Sequence, residues 1–119
     1  MPIILVVEDN KLLQDIMLRQ LQRFEFQVIQ ARTGLEAVRK AKSDQPDLIV
    51  MDLRLPLLSG GEAIRQIKAD PSTAHIPIIV MTAQPDEIVE SVAREDFLLK
   101  PFDFDELLGR IHSHLGLSA

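Results

Sequence analysis

Glu8 with Asp9, then Asp52, Thr82 and Lys100 each stand at the C-terminal end of an apolar, strand-like run, and each can handle a phosphoryl group. Two acids, a third acid, a hydroxyl and an amine spread along the chain meet only if those runs are neighbouring parallel strands. Their C-terminal ends would then open on one crevice, the usual ligand position of open α/β sheets.

Asp52 follows Leu48, Ile49, Val50 and Met51, so it emerges where a strand turns into a loop shaped by Pro56 and Gly60. An aspartate carboxylate placed there can attack phosphorus to form an acyl phosphate, provided cations neutralise the equatorial oxygens. Lys100 can supply one such charge, and Pro101 after it permits a cis bond. Thr82 closes the run Ile78, Ile79, Val80, Met81, and its hydroxyl could bond a phosphoryl oxygen. Taken singly, a threonine at a strand end and a lysine at a surface have ordinary explanations.

Carboxylates about 4 Å apart repel by ~4 kcal/mol at an effective dielectric of about 20. Glu8, Asp9 and Asp52 in one crevice therefore call for a positive charge between them. Mg²⁺ suits them, because it takes oxygen ligands, keeps several waters and is held by one or two carboxylates together with phosphate oxygens. The plainer alternative is that these acids are unrelated helix caps.

The elements that must position these groups are legible in the pattern. Apolar runs recur at residues 3–7, 26–29, 48–51, 76–81 and 97–99, and three are rich in Ile and Val, as strands buried on both faces are. Helical spacing fills the intervals: Leu13, Ile16, Met17, Gln20 and Leu21; Leu35, Val38 and Lys42; Ile64, Ile67 and Lys68. Gly34 and the pair Gly60 and Gly61 lead into helices, while Asp44 to Pro46 and Asp70 to Ser72 punctuate helix ends. Asp103 with Glu106 predicts a variant capping box opening a last helix whose stripe is Phe104, Leu107, Leu108, Ile111 and Leu115. This alternation predicts an α/β, doubly wound five-stranded parallel sheet with helices on both faces.

The 119 residues and 46% apolar content suit one domain over 1–119 with its own core. Without cysteine there is no disulfide framework or thiolate chemistry, which accords with a cytoplasmic location. No run reaches membrane-spanning length, the start Met1, Pro2, Ile3 lacks a basic leader, and so no membrane association is expected. A net charge of -5 without a basic stripe argues against direct nucleic-acid binding.

Four segments together resemble the receiver domain of bacterial response regulators, the chemotaxis-type phosphoproteins of two-component signal transduction. They are Val6–Asn10; Met51–Pro56 with Gly60; Met81, Thr82 and Ala83; and Phe97–Phe102, in the family's order along nearly the whole chain. The resemblance implies the flavodoxin-like strand order 2-1-3-4-5. It implies Asp52 as phosphoacceptor, Glu8 and Asp9 with Asp52 as the Mg²⁺ pocket, and the Arg54 backbone carbonyl as a further ligand. Lys100 would pair with a phosphoryl oxygen. Thr82 would move towards the phosphoryl group, and Phe97 would turn inward as the switch aromatic, unless it is simply a core phenylalanine. The donor would be a sensor histidine kinase or a histidine phosphotransfer protein, the downstream partner a protein; a homodimer is compatible with the sequence.

Thr82 and Lys100 are 18 positions apart, shorter than the family's usual interval by about four residues, or about one helical turn. A fourth helix over Pro85 to Ala93 is therefore expected to be short or distorted, which brings the usual signalling face into question. Arg54 is expected to tune phosphate lifetime through its guanidinium. His112 and His114, two apart on a helix, share no face, and with His75 they make no metal set; cations there suit the helix dipole. Leu57 and Leu58 after Asp52 either contact a partner or pack beneath their loop. Two other readings compete with the switch. One is a degenerate receiver acting as a constitutive protein-binding module; the other is a haloacid-dehalogenase-type phosphatase, whose second aspartate is replaced here by Arg54.

Overall fold

The computed structural model describes residues 1–117. Five parallel strands, β1 (Ile3–Val7), β2 (Gln27–Ala31), β3 (Leu48–Asp52), β4 (Ile78–Thr82) and β5 (Phe97–Leu99), form one sheet in the order 2-1-3-4-5. Four α-helices, α1 (Lys11–Arg23), α2 (Gly34–Asp44), α3 (Gly60–Ala69) and α4 (Phe104–Leu115), cover its two faces. All five residues of β3 and of β4 are buried, as strands sandwiched between helix layers must be. The edges are less covered: β2 is half-buried, and β5 has only three residues.

Alternation along each strand divides the core in two. Leu5, Val7, Ile49, Met51 and Val80 pack on one face with Ala37, Ala41, Ala63, Ile64 and Ile67 of α2 and α3. Ile4, Val6, Leu48, Val50, Ile79 and Met81 pack on the other with Met17, Leu21, Leu107 and Ile111 of α1 and α4. The predicted stripe of α3 is met at Ile64 and Ile67, whereas α2 buries its alanines and leaves Leu35 half-exposed at 53%. Gly34, Ala37 and Ala41 share the buried face of α2, and Leu35, about 100° round the helix from Gly34, falls outside it.

Helix starts follow local chemistry. Asn10, Thr33 and Ser59 cap α1, α2 and α3 by accepting from the N–H groups of Leu13, Glu36 and Glu62. Glu36 in turn accepts from the Arg32 N–H at 2.7 Å, so the two side chains bind the helix start reciprocally. Asp103 does occupy the N-cap of α4, but its side chain makes no capping bond; Glu106 N–H donates to the Asp103 carbonyl instead. The capping box expected there is absent.

The interval between β4 and β5 is shorter in structure than a distorted helix. Residues 85–93 form turns and no α-helix, and a single 3₁₀ turn at Arg94–Asp96 leads into β5. Val89 and Val92 still reach the α2–α3 side of the core, so the segment is anchored without helical hydrogen bonding. His114 on α4 lies 2.7 Å from Asp96, tying this connection to the last helix.

Candidate functional site

Register delivers the acids to one end of the sheet. Val7 of β1 lies opposite Met51 of β3, so Glu8 and Asp52 end adjacent central strands side by side. By alternation both continue the rows that pack towards α1 and α4, Ile4–Val6–Glu8 and Leu48–Val50–Asp52. Glu8 and Asp52 are only 1% and 4% exposed, while Asp9 is exposed. Carboxylate oxygens of Glu8, Asp9 and Asp52 all lie within 4.8 Å of one another.

Lys100 enters from the end of β5, where its N–H donates to the Thr82 carbonyl at 2.7 Å. The Lys100–Pro101 bond is cis. Lys100 Nζ donates to Glu8 Oε1 at 2.9 Å and to Asp52 Oδ2 at 3.1 Å. The positive charge that the acids require is thus supplied, between these two, by the protein itself. The remaining oxygens are also held, Glu8 Oε2 by the Asn10 N–H at 3.0 Å and Asp52 Oδ1 by the Arg54 N–H at 3.1 Å. Burial pushes the Glu8 carboxyl above its ordinary value, against the opposing pull of Lys100. For Lys100 burial favours the neutral amine, but the bonds and charges of Glu8 and Asp52 outweigh it and raise its pKa.

Close packing fixes the loop after Asp52. A Cβ on Gly60 would lie 2.1 Å from the Asp52 carbonyl oxygen, and one on Gly34 would lie 1.9 Å from the Leu58 carbonyl oxygen. Only hydrogen fits at either place. Leu58 packs against the core beneath its loop, whereas Leu57, at φ 68°, is 78% exposed. The Arg54 side chain is exposed beside the crevice.

Thr82 is buried at the end of β4, yet it faces away from the acids. Alternation puts it in the row of Ile78 and Val80, on the α2–α3 side of the sheet with Phe97. Its hydroxyl donates to Glu87 Oε1 at 2.8 Å and accepts from the Gln84 N–H at 3.0 Å. Thr82 and Phe97 line one side of a small hollow of about 150 Å³ with Gln84, Pro85, Arg94 and Leu99. Glu87 escapes a reading of the sequence, because Pro85 to Ala93 read as helix makes it one more solvated surface acid.

The donor set fits a hard divalent cation: three converging carboxylates with no sulfur or imidazole among them. No helix among the described residues is long and apolar enough to cross a membrane.

Residues 4–112 match the family model of the response regulator receiver domain. The chain is 36% identical over 114 residues to hybrid signal transduction histidine kinase D of Dictyostelium discoideum, covering 92% of this chain and 7% of that protein's length. It is 33% identical over 117 residues to the polar-differentiation response regulator DivK of Brucella ovis, covering 95% of each. Among solved structures, the receiver domain of a Pseudomonas aeruginosa sensor histidine kinase, with a magnesium ion coordinated in its active-site cleft, superposes with a TM-score of 0.86. That pair is 33% identical over 97% of this chain and 98% of the other. With the sheet order, the acidic cluster and the family match in agreement, the chain belongs to the response regulator receiver family.

Proposed function

We propose that the chain, as a single receiver unit over residues 1–119, is a phosphorylation-dependent switch of a two-component phosphorelay. The chain acts in the cytoplasm, and its donor is a phosphohistidine on a sensor histidine kinase or histidine phosphotransfer protein. The observation that carries this reading is the Lys100 ammonium held between the buried Glu8 and Asp52 carboxylates at the end of the two central strands.

An Asp52 oxygen attacks phosphorus, the P–N bond breaks, and its electron pair returns to the imidazole, leaving an acyl phosphate on Asp52. Glu8, Asp9 and Asp52, with the Arg54 carbonyl, would hold Mg²⁺. When bound, that cation supplies the positive charge that lets an anionic carboxylate meet an anionic phosphoryl group. Lys100 passes from the acids to a phosphoryl oxygen, which is within the reach of a flexible ammonium on a four-carbon stem. Thr82 and Phe97 form the element that reads the event, by hydroxyl and by aromatic burial respectively. Arg54 slows loss of the phosphoryl group by crowding attacking water; an Arg54→Ala protein that dephosphorylates at the unaltered rate contradicts this role.

The turns in place of a helix over 85–93 favour one second reading, a receiver that binds its partner constitutively. Phosphorus NMR with phosphoramidate, a small donor that also carries a P–N bond, separates the two. The switch gives an acyl-phosphate resonance that requires Mg²⁺ and does not form when chelator is present from the start. A constitutive module gives none.

A further inference from the structure

Thr82 has one hydroxyl proton, and the groups around its oxygen decide where it goes. Buried at 3% exposure, the hydroxyl donates to Glu87 Oε1 at 2.8 Å, while its lone pair receives the Gln84 N–H at 3.0 Å. The Gln84 carbonyl lies farther off, at 3.5 Å. A hydrogen bond to a carboxylate is about twice as strong as one between neutral groups, so the proton is committed to Glu87. The backbone explains the placement: Glu87 N–H donates to the Gln84 carbonyl at 3.2 Å, closing a turn through Pro85 and Asp86 that folds the carboxylate back over the end of β4.

The two sides of the sheet complete the argument. Glu8, Asp52 and the Lys100 ammonium meet on the α1–α4 side, whereas Thr82 follows Val80 on the α2–α3 side. For the hydroxyl to serve a phosphoryl oxygen on Asp52 it must leave Glu87. We propose that Glu87 is a positioning residue, a latch that holds the Thr82 hydroxyl away from the phosphoryl site. The Glu87 carboxylate and the phosphoryl oxygens then compete for one proton. This rests on the phosphoacceptor reading of Asp52 and adds to it a residue that sets how readily the phosphorylated state forms. Because an apparent affinity is the intrinsic one scaled by the competent fraction, breaking the latch tightens binding of anything that resembles the phosphoryl group.

Titration of the chain with beryllium fluoride in Mg²⁺, followed by calorimetry, tests the latch. Beryllium fluoride is a phosphoryl mimic that forms on an aspartate. Glu87→Ala is expected to bind it about tenfold tighter than the unaltered chain, and Glu87→Gln, which keeps a neutral acceptor, about threefold tighter. In a Thr82→Val background, which keeps the buried shape but has no hydroxyl, Glu87→Ala should gain nothing. An equal gain in both backgrounds means a loosened loop and overturns the latch. Unchanged or weaker binding by both Glu87 variants also overturns it, while the phosphoacceptor reading survives. If the unaltered chain binds no beryllium fluoride with Mg²⁺, that reading falls and the latch with it.

Discussion

Between Glu8 and Asp52 the Lys100 ammonium makes bonds of 2.9 and 3.1 Å, and it is the only cation within 4.0 Å of either carboxylate among the described residues. Removing it leaves two buried anions face to face, each still holding a backbone N–H on its outer oxygen. Lys100→Met is therefore expected to lower metal-free stability by about 1–3 kcal/mol. Mg²⁺ should restore more of that variant's stability than it adds to the unaltered chain, since the acids no longer have a competing partner. Urea unfolding with and without Mg²⁺ measures both, and a variant of unchanged metal-free stability contradicts this account of the charge balance. At this scale the sequence was informative where a residue type is out of place. Three acids ending apolar runs are a poor structural choice, and with a hydroxyl and an amine ending two further runs the set points to chemistry. Glu87 carries no such mark, because an acid in a polar stretch is ordinary and only the fold brings it to Thr82.

The elements hold the site through two close contacts and one reciprocal cap. At the start of α3 the Gly60 N–H donates to the Leu53 carbonyl at 3.0 Å, and a Cβ on Gly60 would come within 2.1 Å of the Asp52 carbonyl oxygen. Gly60→Ala must push α3 or the end of β3 aside. It is expected to cost about 1–3 kcal/mol and to slow phosphorylation of Asp52. Gly61→Ala, with nothing within 4 Å of its new carbon, should be neutral or slightly stabilising when the two variants are compared by thermal unfolding. At α2 the Glu36 carboxyl sits below its ordinary 4.5, chiefly through the Arg32 N–H, with burial opposing and Lys40 assisting. A depressed folded-state pKa stabilises above 4.5 and loses that contribution as the pH falls through the lowered value. Glu36→Gln should therefore cost about 1 kcal/mol at neutral pH, and the gap to the unaltered chain should close well below pH 4.5. A gap that persists in acid contradicts the charge-based account. Gly34 and Gly60 were legible as helix starts from their position, but the carbonyls they make room for belong to other segments and leave no trace in the local sequence.

Across the whole molecule, the parallel sheet converts separation along the chain into proximity at one end, and its alternation assigns those residues to two faces. Order 2-1-3-4-5 puts β1 and β3 together at the centre, so Glu8 and Asp52 become neighbours, while β4 and β5 bring Thr82 and Lys100 alongside. This architecture was readable because strands buried on both sides are nearly continuous apolar runs. The interval between Thr82 and Lys100 was readable only as too short. Val89 and Val92, three apart, satisfy the core equally well from a helical turn or from the turns that form, so spacing could not tell a distorted helix from none. The central claim is that this arrangement makes Asp52 the one phosphoacceptor. Intact mass measurement after incubation with Mg²⁺ and acetyl phosphate tests it most directly. The account predicts addition of a single phosphoryl group that is released by hydroxylamine and is absent from Asp52→Asn. A chain that takes up no phosphoryl group, or an Asp52→Asn protein that takes it up as before, contradicts it.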